Sequence, residues 1–211
     1  IIAKGCDSRN IVNHIIENKI SREQLVIIGV PCKGMVDKNN PEQLQANCAT
    51  CTHRNPVIYD ELCADLVEEQ KDVDRYEDVR KVEAMDTQEK WAFFEDLLSG
   101  CTRCYACKNA CPLCYCPTCF VDESQPQWVG KGTDPIDIRT YHFLRAYHCS
   151  GRCTDCGACE AACPQNIKMR NFTKKLEKDC FDLYGWEAGL TVDQRPPLDS
   201  FKLDDPEKFI M

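Results

Sequence analysis

No stretch of this chain approaches the roughly 20 consecutive apolar residues that crossing a bilayer requires; the longest apolar run, Leu25–Val30, is of strand length. No segment reads as a secretory leader, so a cytoplasmic protein is expected. The first residue is Ile1 rather than methionine, and the natural start is expected to lie upstream. There is no G-x-G-x-x-G after a strand, which leaves a dinucleotide site unsupported. Barrel-like alternation of strands and helices is missing too. Positive charge is outnumbered, 26 lysines and arginines against 34 acidic residues, and the net charge of −8 argues against nucleic acid as a partner. No set of side chains converges on acid–base or nucleophilic catalysis, because the reactive thiols fall into metal-ligand patterns.

Cysteine is what the chain has in excess, with 18 in 211 residues. Cys101, Cys104, Cys107 and Cys111 are followed by Pro112, and Cys153, Cys156, Cys159 and Cys163 by Pro164. Both runs read C-x2-C-x2-C-x3-C-P. In the bacterial two-cluster pattern, three cysteines of each run hold one cubane and the fourth reaches across to the other. The expected ligands are therefore Cys101, Cys104, Cys107 and Cys163 for one 4Fe–4S cluster, and Cys153, Cys156, Cys159 and Cys111 for a second. The prolines suit a chain that turns away without donating an N–H. A disulfide framework needs an oxidising compartment. Zinc ribbons use paired C-x2-C rather than a repeated four-cysteine run. Cys149, Cys153 and Cys156 also spell a radical-type C-x3-C-x2-C, but inside a complete ferredoxin run.

Ten cysteines remain. Cys6, Cys32, Cys48 and Cys51 are expected to form a third site, from two parallel strand ends and a C-x2-C loop. Such a set suits 4Fe–4S or zinc, and two neighbouring clusters favour iron–sulfur. Cys63 is the alternative to Cys6, and separate buried thiols are the structural alternative to the whole site. Cys114, Cys116 and Cys119, with Cys149, allow a further metal without specifying one. Cys180 reads as a packing residue, and His142 and His148 as surface or packing residues rather than ligands.

The expected fold is α+β. Residues 1–65 form a small α/β piece, with Ile1–Ala3 and Leu25–Val30 as parallel strands. The helix between them is capped at Asp7 or Ser8 and carries Ile11, Val12, Ile15, Ile16 and Ile20 on one face. Residues 66–100 form an acidic helical connector. From Asp60 to Asp96 there are 14 acidic and 5 basic residues, read as a solvated helical face, with a docking surface for a basic partner as the alternative. Helix is expected from Glu61 on. Asp86 to Glu89 resembles a capping box leading into an apolar stripe of Trp91, Phe94, Leu97 and Leu98. Residues 101–180 form a bacterial two-cluster ferredoxin-like module. Its repeats start 52 positions apart, longer than a minimal ferredoxin needs, and the insert is expected to hold a helix over Ile136–His148 with Tyr141, Leu144 and Tyr147 apolar. A helix near Asn171–Tyr184 leads into an extended arm, within residues 181–211, over Thr191–Met211.

Several further motifs join the ferredoxin runs: Gly5 to Arg9, Gly29 to Gly34, Cys48-x2-Cys51, Asn55 to Asp60, His148 to Cys153, and Tyr184 to Gly189. Together they resemble the multi-cluster iron–sulfur subunits related to the beta subunits of deazaflavin-reducing hydrogenases and formate dehydrogenases. Similar subunits accompany sulfhydrogenases and heterodisulfide-reductase-like complexes of anaerobes. The resemblance implies electron transfer inside a larger cytoplasmic oxidoreductase, beside flavin- or molybdenum/tungsten-bearing partners, in anaerobic, low-potential metabolism. The chain is shorter than the deazaflavin-reducing members, and a flavin on it is not expected. The reading is thus an electron relay through two 4Fe–4S clusters and a third. A catalytic subunit with a spare-cysteine metal site, or a redox-sensing or assembly protein, are the alternatives.

Overall fold

The computed structural model describes residues 1–207; residues 208–211, the end of the expected arm, lie outside the described residues. The chain divides into two compact units. One comprises Ile1–Arg75, Ser150–Gly157 and, as far as described, Glu177–Met211; the other comprises Tyr76–Cys149 and Ala158–Leu176.

In the first unit, β1 (Ile2–Lys4), α1 (Gly5–Ile16) and β2 (Ile28–Val30) make the expected β-α-β start, with the strands parallel and Ala3 opposite Gly29. The helix begins earlier than its capping signal suggested. Lys4 is the cap, and Asp7, inside the first turn, accepts from the Lys4 backbone N–H at 3.1 Å and its ammonium at 2.6 Å. Gly5 allows this abrupt start, since a Cβ there would stand 2.3 Å from the His53 carbonyl oxygen. The run before β2 is not buried on both sides. Leu25 and Ile27 join Ala3 in a small core while Val26 is 69% exposed. Alternation of this kind marks a half-buried strand.

A third strand, β3 (Glu61–Leu62), pairs parallel with β2, where helix was expected. Asp60 sets its position by accepting the Ile27 N–H at 2.7 Å. Beyond it the chain stays extended because side chains occupy its backbone groups. Asn55 donates to the Val67 carbonyl at 2.7 Å and accepts the Val67 N–H at 2.9 Å. Bonds of this type compete directly with helix formation. Between β2 and β3 lies a single turn, α2 (Ala46–Ala49). The start of the arm packs on its own unit: Pro196 is buried, and Arg195 donates to the Ile16 carbonyl at 3.1 Å.

In the second unit the acidic stretch becomes helical only at α3 (Glu77–Glu83) and α4 (Thr87–Leu98). The Asp86 cap is as expected: it accepts the Glu89 N–H at 2.8 Å, and Glu89 accepts the Asp86 N–H at 2.9 Å. From the expected stripe, Phe94, Leu97 and Leu98 pack inward and Phe94 stacks on Phe172. Trp91 does not; it is 57% exposed, with the Arg139 guanidinium over its ring at 4.5 Å. The unit continues with α5 (Ala106–Asn109), α6 (Pro135–His148) and α7 (Ala158–Ala161); α8 (Arg170–Tyr184) follows. Pro135 sits at the first turn of α6, where its missing N–H costs nothing. Of the expected apolar residues of α6, Tyr141 and Leu144 join the core and Tyr147 does not. Tyr147 is 62% exposed, whereas His142 and Arg145 are buried beside Ile138 and Tyr141.

Candidate metal centres

The two cysteine runs share a backbone, and it is an unusual one. Arg103 and Tyr105 in the first have φ of 51° and 60°; Asp155 and Gly157, at the matching places in the second, have 55° and 73°. Short helices follow these positions in the same register, α5 within the first run and α7 within the second, and the two pack together. A left-handed conformation is unfavourable for any residue with a Cβ, above all a bulky one. Three non-glycine residues hold it here, so the loops are shaped for something other than chain stability. The shape delivers N–H groups to sulfur: Arg103 donates to Cys101 and Asp155 to Cys153, again at matching places.

Cys101, Cys104, Cys107 and Cys163, the four ligands expected for the first cluster, line one cavity. His142 Nε2 lies 3.3 Å from Cys101 Sγ, Tyr141 Oη 3.6 Å from Cys107 Sγ, and the Ile167 N–H donates to Cys163 Sγ at 3.4 Å. Burial, reinforced by the Arg145 and Arg103 charges, pushes His142 down to about 4, so its ring is neutral at physiological pH. Burial also raises the Cys101 thiol and the Tyr141 phenol. Arg145 donates to the Cys107 carbonyl at 3.0 Å. Burial opposes its charge, but the surrounding thiols, Cys159, Cys149, Cys107 and Cys111, hold it on. His142, expected at the surface or in packing rather than as a ligand, is buried against Tyr141 and Phe172; a lone histidine on a helix gives no sign of the thiol it will also meet.

Of the second expected set, Cys153 and Cys156 belong to the first unit, while Cys159 on α7 and Cys111 after α5 belong to the second. Within the first unit, the loop carrying Cys153 and Cys156 is bonded to α1. Asn13 donates to the Arg152 carbonyl at 2.7 Å, Thr154 donates to Asn10 at 3.1 Å, and Arg152 pairs with Glu17. The signal was present as Asn10, Asn13 and Glu17 at helical spacing, opposite the isoleucine face. Gly157 packs so tightly that a Cβ would stand 2.4 Å from Asn47 Oδ1, next to Cys48.

The expected third set lies in the same unit. Cys6, in the first turn of α1, is pushed up to about 12 by burial and by the neighbouring charges of Asp7, Cys156 and Cys51. Cys51 is raised chiefly by burial and also by Cys48, while the His53 N–H donates to it. Cys32 Sγ accepts the Gly34 N–H at 3.4 Å, and Lys4 interacts with both Cys6 and Cys32. Gln70 fixes the Cys48–Cys51 turn by donating to the Cys51 carbonyl at 2.9 Å and the Cys48 carbonyl at 3.3 Å. Cys63 is exposed and follows β3, not a helix, and its N–H bonds to the Gly29 carbonyl at 3.0 Å.

Among the leftover cysteines, the sulfurs of Cys114 and Cys149 gather with Cys111, all within 4.8 Å of one another. Bonds from Cys114 and Cys149 lower the Cys111 thiol strongly, aided by Arg145, while Cys114 is raised. Cys116 and Cys119 stand outside this group. Cys180 is buried against Ser150, and His148 is exposed with its ring on Phe120.

The motif Tyr184 to Gly189 brings no ligand but braces α1. Arg9 donates to the Ala188 carbonyl at 2.9 and 2.7 Å, and Trp186 donates to the Gly151 carbonyl at 2.7 Å. Gly189 has φ of 73°, and a Cβ there would stand 2.2 Å from the Arg9 carbonyl oxygen. Glu187 joins His53 at 2.6 Å and Arg75 at 2.7 Å. Burial works against its ionisation, yet these partners hold its carboxyl at about 2.

Grouped thiols with N–H donors at their sulfurs and buried cations nearby can hold a thiophilic metal or a cluster whose charge changes. No helix among the described residues is long and apolar enough to cross a membrane. No family model matches the chain. Over 110 residues it is 31% identical to the F420-dependent formate dehydrogenase subunit beta of Methanocaldococcus jannaschii; the match spans 52% of this chain and 27% of that protein, about a quarter of its length.

Proposed function

We propose that this chain is an iron–sulfur electron-transfer subunit of a larger oxidoreductase. Cys101, Cys104, Cys107 and Cys163 hold one 4Fe–4S cluster in a ferredoxin-like module, and Cys153, Cys156, Cys159 and Cys111 hold a second. Cys6, Cys32, Cys48 and Cys51 hold a third. Bound clusters supply one-electron chemistry, and the residues hold, space and tune them. The observation that carries this reading is the pair of left-handed positions repeated in both cysteine runs, each with an N–H aimed at the first sulfur. What separates the reading from zinc is the spacing, a four-cysteine run closed by proline and repeated, where zinc ribbons use paired C-x2-C. Cys156 interacting with Cys6 supports a short path from the second set to the third. The likeness to a formate dehydrogenase beta subunit supports a catalytic or flavin-bearing partner as electron donor or acceptor.

Iron and acid-labile sulfide per chain, measured on anaerobically prepared protein, test the reading. About twelve irons are expected, against about eight if the third set is not a cluster. Cys6→Ser should remove about four of them and Cys63→Ser none. Iron-free protein, or zinc at the repeats, would overturn the proposal.

A further inference from the structure

The insert between the two cysteine runs carries α6, and α6 sends two consecutive side chains to two thiols of one cavity. Neighbouring helical residues point about 100° apart, so the cavity has to wrap round the helix for both to reach it. His142 is 3% exposed and Tyr141 1%; at that burial water does not compete for their bonds, and the low local dielectric strengthens them. Arg103 lies over the rings of Tyr105 and Tyr141 beside the first set, whereas Arg145, bonded to the Cys107 carbonyl, faces thiols of both sets, Cys107 of the first and Cys159 and Cys111 of the second. Cys153, in the second set, has anions beside it, Glu177 and Asp155.

Reduction adds one negative charge to a thiolate-held centre. Donors at the sulfurs and cations nearby favour that state, and anions oppose it. We infer that Tyr141 and His142 are positioning residues that raise the reduction potential at Cys101, Cys104, Cys107 and Cys163 above that at the second set, so that a single electron given to the chain rests at the first. The step moves one electron from a reduced donor, which is oxidised, and no atom or proton is transferred. This rests on the electron-transfer reading above and extends it to the direction of flow.

The test is an anaerobic redox titration of the full, cluster-loaded chain with reduced viologens, followed by electron paramagnetic resonance. Tyr141→Phe fills the same space without the hydroxyl, and His142→Leu removes the second donor. Each should lower the midpoint of the first signal to appear by about a tenfold change in one-electron equilibrium, ~59 mV, and leave the other signals in place. His142→Gln keeps an N–H donor and should recover most of the shift. Cys104→Ser should alter the line shape of that same signal and so assign it to the first set. Variants that keep the wild-type midpoints, or that move all signals equally, would overturn this inference alone. A wild type without iron would overturn it together with the function on which it rests.

Discussion

Tyr105 and Gly157 occupy the same place in the two cysteine runs and share a left-handed backbone, yet only one of them has a side chain. The difference lies in what each loop packs against. Tyr105 has room for its ring, edge-on to Tyr141 at 5.4 Å, whereas Asn47 lies where a Cβ on residue 157 would go. Gly157→Ala should therefore destabilise the protein by more than the cost of the backbone conformation alone, about 1–3 kcal/mol, and reduce the iron bound. Combining it with Asn47→Ala should recover part of the loss, since the clash is with that one side chain. Thermal unfolding of the single and double variants checks this; equal losses in both would place the cost in φ alone.

At the scale of elements, α1 has two working faces. Its apolar side closes the small core under β1 and β2, and its polar side, through Asn10 and Asn13, holds the loop that carries Cys153 and Cys156. Asn13→Ala takes this donor from the part-buried Arg152 carbonyl, a cost of about 0.5–1.5 kcal/mol. The loop should loosen before the helix does, so iron release to a chelator should accelerate while helical circular dichroism stays constant. The Asp86 cap makes a contrasting case. Asp86→Ala should cost about 0.5–2 kcal/mol, read as faster amide exchange in the first turn of α4, with iron content unchanged. These elements were unequally legible from sequence. The α4 cap and the β-α-β start rest on signals within a few residues, and both appear as expected. β3 is two residues long and exists because of partners about thirty positions upstream, which no local pattern reports. The polar face of α1 reads as solvated until the loop from residue 150 onward is seen against it.

Across the whole molecule, charge is used differently on the surface and inside. The acidic excess between Asp60 and Asp96 is largely exposed, whereas Arg9, Arg75, Glu177 and Glu187 are buried or nearly so in the first unit. Glu187 is held at about 2, below its usual 4.5. A lowered carboxyl contributes stability that is complete above the unfolded value and disappears as pH falls through the folded one. The first unit should lose stability between about pH 4.5 and 2, and Glu187→Gln should flatten that dependence while lowering stability at neutral pH. Unfolding midpoints against pH check both. The cysteine spacing singles out Cys101, Cys104, Cys107 and Cys163, and the four line one cavity. It pairs Cys114 with Cys149, alongside Cys116 and Cys119, but does not report that Cys111 joins them in place of those two, because that grouping depends on where α6 ends.

The two units do not follow one another along the chain: each is cut from separate stretches, and the first is complete only with residues beyond Glu177. During synthesis, therefore, the first unit cannot close before residues beyond Glu177 emerge, nor the second before Ala158–Leu176 does. On the function proposed above, Cys6, Cys32, Cys48 and Cys51 are all made before the first of the two repeats emerges, whereas the unit that shelters them closes only with residues 150–157 and those beyond Glu177. A nascent fragment would therefore expose a row of reactive sulfurs to whatever metal the cell offers first.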